Sequence, residues 1–168
     1  MARMPGRQRR DKPMMKVVRD ARPPMAVIGI LNPIMRILLR SIVGRLVKPF
    51  ALLEFSGRRS GRHYRIPTGI YRVQNATVVF TPAAWRVNFL GCATATVYHL
   101  GRPLLMTGTL ITDPAVVAQA LQSVLDNGTP ARLLGFDIVP NHQLTASDVA
   151  FLGRAMIQFR ALDPIPQA

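Results

Sequence analysis

Arg58, Arg59 and Ser60 stand between Gly57 and Gly61, directly after the apolar run FALLEFS at 50–56. Two guanidinium forks, a hydroxyl and successive backbone N–H groups in a tight turn are chemistry for holding an anion. Phosphate or carboxylate would be met by paired, charge-assisted hydrogen bonds. A solvated turn can have the same composition, so the five residues alone leave the ligand open. The loop lacks the glycine spacing of a dinucleotide fingerprint and the Gly-Lys-Ser/Thr ending of a phosphate-binding P-loop, which argues against a parallel-sheet nucleotide fold.

Proton donors near the loop are Tyr64, Tyr71 and His63. Tyr71 is the candidate catalytic residue, with an ordinary strand aromatic as the other reading. No paired carboxylates and no Ser-His-Asp pattern accompany them. His63, His99 and His142 lie far apart in sequence, and Cys92 is the single cysteine. That excludes a disulfide within these residues and leaves no metal expected. A reducing compartment is the expectation from cysteine usage.

These side chains need elements to position them. FALLEFS reads as a strand, and residues 64–73 with 76–81 read as a hairpin around Gln74 and Asn75. Pro67 and Gly69 within the hairpin's first strand predict a sheet edge, a bulge or a close backbone approach to a ligand. ATATVYHL and PLLMTGTLIT predict a second hairpin around Gly101 and Arg102, and AAWRVNFLG a short helix between the two hairpins. Asp113 and Pro114 are a cap and first-turn pair for a helix that Asn127-Gly128 should stop. Short helices are expected near 130–135 and 145–153, and a last strand at 155–162. Antiparallel strands with one inserted helix and late helices predict a small β-barrel with α decoration, in one domain of α+β, mainly β, class.

Of 168 residues, 49% are hydrophobic, enough for one domain with a core. The formal charge of +14 is concentrated: residues 1–65 hold 16 of the 22 Lys and Arg against three acids, a net of +13, while 66–168 hold six against five. A near-neutral body with a basic front makes nucleic acid an unexpected partner. Residues 1–22 are expected to be a mobile basic tail, 23–48 an amphipathic helical segment, 49–162 the barrel domain and 163–168 a short C-terminal tail. Asn32 and Pro33 supply the cap and first-turn proline for the helix. It either docks on the core or lies on an anionic membrane surface through residues 1–48. The apolar stretch 25–35 contains Asn and Pro and is shorter than the roughly 20 residues needed to span a bilayer. A cytoplasmic chain, with or without contact to the inner face of the membrane, is the expectation, and a homodimer is left open.

Gly-Arg-Arg-Ser-Gly followed six residues later by Pro67, the Phe-Thr-Pro of residues 80–82, and Trp85 with Asn88 carry a resemblance. Over residues 32–162 the chain resembles the deazaflavin-dependent nitroreductase and quinone reductase family, common in actinobacteria. The resemblance implies a split β-barrel, FMN-binding-like, with an N-terminal helix and peripheral helices. It implies coenzyme F420 as cofactor and hydride transfer to a small hydrophobic acceptor such as a quinone or nitroaromatic.

Arg58, Arg59, Ser60 and Gly61 would then take the anionic tail of the cofactor. Tyr64 and Arg65 follow the loop. Pro67, Thr68, Gly69 and Tyr71, with Phe80, Thr81 and Pro82, would line the ring, mostly through backbone. Trp85 and Asn88 would close the phosphate side. FMN in the same barrel is the alternative cofactor, and a non-catalytic cofactor-binding or membrane-surface module the alternative function. Relatives often show Trp-Trp-Arg-Asn-Leu where this chain has Trp85-Arg86-Val87-Asn88-Phe89, so Arg86 and Val87 are departures inside the expected site.

Overall fold

The computed structural model describes residues 17–21, 37–38 and 49–162. Most of the predicted tail 1–22 and helix 33–48, and all of 163–168, lie outside these. Ile37 and Leu38 are helical.

Among the described residues β1 (Val18–Asp20) and β8 (Phe136–Ile138) pair by themselves, and seven further strands form one antiparallel sheet: β2 (Phe50–Ser56), β3 (His63–Gly69), β4 (Tyr71–Val73), β5 (Ala76–Thr81), β6 (Ala93–His99), β7 (Arg102–Ile111) and β9 (Ala155–Ala161). Their order in space is β3-β2-β6-β7-β9-β5-β4. The two outermost strands, β3 and β4, are consecutive in the chain with only Ile70 between them. The sheet must therefore curl until its edges meet. The chain passes from one edge to the other at Ile70, whose N–H donates to Pro49 O at 2.9 Å and so extends the β2–β3 pairing by one residue. At the other end β3 and β5 share no ladder, and the 3₁₀ turn Ala84–Phe89 that follows β5 stands against the loop after β2, Asn88 Oδ1 accepting from the Arg58 N–H. The fold is a split β-barrel of α+β class.

Strand alternation decides what fills it. Ala51, Leu53 and Phe55 of β2, Val79 of β5, Ala95 and Val97 of β6, Met106 of β7, and Ile157 and Phe159 of β9 point inward and form one buried cluster with Ile70 and Phe89. Gly108 faces the same space, and a Cβ there would stand 2.7 Å from both Phe159 Cε1 and Phe89 Cδ1. The missing side chain makes room for the Phe89 ring.

The outer face of β5 and β9 supplies Val78, Phe80 and Met156 to a second cluster beneath α1 (Pro114–Asp126) and α2 (Ala146–Leu152). Asp113 caps α1 by accepting from Ala115 and Val116 N–H at 2.8 and 3.4 Å. Val117, Leu121 and Val124 lie on its buried face. Each large side chain in these clusters would cost about 2–5 kcal/mol if cut back to alanine.

Two differences from the sequence expectations concern short strands. Residues 64–73 do not form one strand, because the chain must cross from one sheet edge to the other at Ile70. Within the segment expected to be tail, Val18–Asp20 is a strand, β1, pairing antiparallel with β8 (Phe136–Ile138), and Val18 is buried in the second cluster.

Candidate functional site

The split end carries an open cleft of about 490 Å³. The loop 57–62 between β2 and β3 forms one side. Gly61 N–H donates to Gly57 O at 2.8 Å, and Gly57 N–H to Arg62 O at 2.7 Å, which folds the loop back on itself. Gly61 sits at φ +63°, where a side chain would be strained. Ser60 Oγ accepts from Arg62 N–H at 3.3 Å. The turn leaves Arg58, Arg59 and Ser60 exposed on the cleft.

The 3₁₀ turn forms the other side, with Trp85, Val87, Asn88 and then Leu90. Asn88 joins the two. Its Oδ1 accepts from the Arg58 N–H at 2.9 Å, and its Nδ2 donates to Trp85 O at 2.8 Å. Arg58 Nη1 also donates to Leu90 O at 3.0 Å, so its guanidinium is aimed across the cleft and not into solvent. Arg59 makes no hydrogen bond or ion pair among the described residues, which leaves its whole fork for a ligand.

Aromatic packing fixes the floor. Tyr64 lies stacked on Phe55, with centroids 5.2 Å apart and planes 9° apart. Phe55 meets Trp85 at 5.8 Å and the edge of Phe89 at 4.9 Å. Arg62 sits over the Tyr64 ring at 5.9 Å. A cationic side thus faces an apolar and aromatic one across a space of ligand size.

Arg58, Arg59, Ser60, Tyr64, Trp85 and Asn88 line this cleft together, and Gly61 closes its loop. The other expected site residues stand elsewhere. Arg65 and Pro67 face the opposite side of β3 from Tyr64, and Arg65 Nε pairs with Glu54 Oε1 at 3.3 Å. Pro67 is on an edge strand, one of the settings its missing N–H allows. Thr68 and Gly69 lie toward the closed end, and a Cβ on Gly69 would stand 2.6 Å from the Tyr71 hydroxyl. Tyr71 donates that hydroxyl to Leu133 O at 3.1 Å. Burial pushes its pKa up, against a smaller opposing effect of the Arg154 charge, so it stays protonated. Phe80 is buried beneath α1 and not in the cleft. Thr81 Oγ1 accepts from Ala83 N–H at 3.1 Å and so shapes the entry into the 3₁₀ turn just after Pro82.

Arg86 and Val87 have definite places. Arg86 Nη1 donates to Thr81 O at 3.2 Å and to Gly153 O at 2.6 Å. Gly153 is the left-handed cap of α2, so the arginine anchors the turn to a helix C-terminus, where a cation is favoured. Val87, half exposed, gives the cleft an apolar wall. Leu90 was missed by sequence reasoning, because its part is played by a backbone carbonyl that no residue type announces. Among the described residues no group of three or more His, Cys, Asp or Glu could hold a metal, and no helix is long and apolar enough to cross a membrane.

No family model matches the chain, and no curated protein matches it. Among solved structures it is similar to that of an FAD- and heme-binding protein from Mycobacterium smegmatis. The identity is 14% and the TM-score 0.40, over 81% of this chain and 73% of that one.

Proposed function

We propose that the chain is an oxidoreductase that holds reduced coenzyme F420 in the split-end cleft and passes a hydride to a small hydrophobic acceptor, such as a quinone or nitroaromatic. One observation carries this reading: Arg58, Arg59 and Ser60 face Trp85, Val87 and Leu90 across a single cleft. An anionic tail joined to an aromatic ring system is what such a surface complements.

The residues fit the group by their donor chemistry. The Arg59 fork and the remaining N–H groups of Arg58 would take phosphate or carboxylate oxygens, with the Ser60 hydroxyl beside them. Tyr64, Trp85 and Val87 would cover apolar ring surface and keep water from it. The cofactor, when bound, supplies the hydride chemistry, so the protein needs no paired acid and base of its own. Its task is to bind, orient and exclude water, and Asn88 and Arg86 prepare the cleft wall for that before any ligand arrives.

Titration of the purified protein with F420, FMN and NADPH, followed by fluorescence, tests the reading. Saturable quenching by F420 supports it. Saturation by FMN alone would assign the cleft to a flavin, and no response to F420 rejects the proposal. Contact of residues 1–48 with anionic membrane is a separate proposal, resting on the +13 charge of residues 1–65. Flotation with anionic liposomes that is lost in high salt would support it, and recovery only in the unbound fraction at low salt would reject it.

A further inference from the structure

The barrel has a second end. Where β3 passes into β4, a cavity of about 180 Å³ opens, and its lining is of two kinds. Ile70, Val97 and Met106 are buried interior residues, and Leu104 continues their apolar surface outward. Arg72, Thr77 and His99 stand at the rim.

The register explains why a cation is there. Arg72 pairs with Thr77, and Thr77 with Phe159, whose ring lies in the interior cluster. Arg72 is therefore on the inner face of β4 and borders the cavity instead of leaving the outer surface. Among the described residues its guanidinium makes no hydrogen bond or ion pair and no carboxylate lines the cavity.

This cavity is separate from the cleft at the split end. Leu53, Val79, Phe89 and Phe159 fill the interior between them, each fully or almost fully buried. Its size also sets it apart. A cavity of about 150 Å³ is enough for one benzene ring, so this space takes a single ring and not a fused cofactor.

We propose that the closed end of the barrel is a binding site for a small aromatic carboxylate. The ring lies against Val97, Leu104 and Met106, and the carboxylate is met by Arg72, with Thr77 and His99 beside it. The apolar floor alone would accept any small hydrophobe, but an arginine without a carboxylate at the rim selects for the anion.

The test is a ¹H–¹⁵N NMR titration of the full chain with benzoate, and with benzyl alcohol as a neutral probe of the same ring. Saturable shifts by benzoate at the amides of residues 70–72, 77, 97–99 and 104–106 are expected. Binding should weaken about tenfold or more for benzyl alcohol and for Arg72→Gln, as expected for loss of a charge-assisted pair. Leu104→Trp, at a half-exposed position, should fill the space and abolish the shifts while the rest of the spectrum is retained. Equal affinity for the two probes, indifference to Arg72→Gln, or shifts centred on residues 58–60 and 84–90 would each overturn the proposal.

Discussion

The Asn88 side-chain oxygen holds the backbone N–H of Arg58 at 2.9 Å, so one amide fixes the two sides of the cleft relative to each other. Asn88→Ala removes that bond and the one to Trp85 O together. A loss of about 1–3 kcal/mol of stability is expected from two severed hydrogen bonds. Ligand affinity should fall with it. Urea denaturation beside fluorescence titration measures both.

Arg58 and Arg59 should separate in their effects. Arg59→Ala removes a side chain without a protein partner among the described residues, so stability should stay within about 0.5 kcal/mol. F420 binding should still weaken by about 1–3 kcal/mol. Arg58→Ala also loses the bond to Leu90 O and should lower the melting temperature as well. Calorimetry of both variants, with and without F420, decides.

Tyr71→Phe tests whether that hydroxyl takes part in the chemistry. Its bond to Leu133 O ties β4 to the 3₁₀ turn at 131–134, so a cost near 1 kcal/mol of stability is expected. Turnover with F420H2 and a quinone should be unchanged. A large fall in kcat with an unchanged melting temperature would return Tyr71 to the catalytic role.

Gly108→Val should disrupt the barrel interior. Even the first carbon of the new side chain would meet the Phe89 and Phe159 rings at 2.7 Å. Overpacking of this kind costs about 1–3 kcal/mol or more. Loss of binding at the cleft should accompany it, because Phe89 belongs to the cleft's own turn.

Asp148 predicts part of the acid sensitivity. Partial burial alone would raise its pKa, but hydrogen bonds from His142, from the Thr145 N–H and from the Thr145 hydroxyl outweigh burial and hold it below the ordinary carboxylate value. A carboxyl with a lowered folded pKa contributes stability above its unfolded pKa, and loses it as pH falls through the folded value. The stability difference between the parent protein and Asp148→Asn should therefore be present near pH 6. It should shrink steadily below about pH 4. Urea denaturation at a series of pH values follows it.

The elements that could be read from sequence are those whose signals are local. Strand 50–56, the cap and proline at 113 and 114, and the glycine stop at 128 carry their instructions within a few residues. The break at Ile70 does not, because it follows from the sheet closing on itself. Val18–Asp20 and Phe136–Ile138 are three-residue strands that find each other across most of the chain, and the basic residues around Val18 masked its apolar role. For the candidate site, residue type and spacing singled out the loop donors and Tyr64, and the family resemblance singled out Trp85 and Asn88. The burial of Phe80 beneath α1 was not legible, since Val78 through Thr81 are all buried and no alternation shows which face the helix covers.

Phe89 terminates the turn that walls the cleft, and its fully buried ring closes the barrel interior against Phe55 and Phe159. The cleft therefore cannot gape without uncorking the core. Amide exchange in residues 84–89 should then proceed through whole-domain opening and not through local fraying. A ligand that grips Trp85 and Asn88 would slow exchange as far away as the strand centres of β7 and β9.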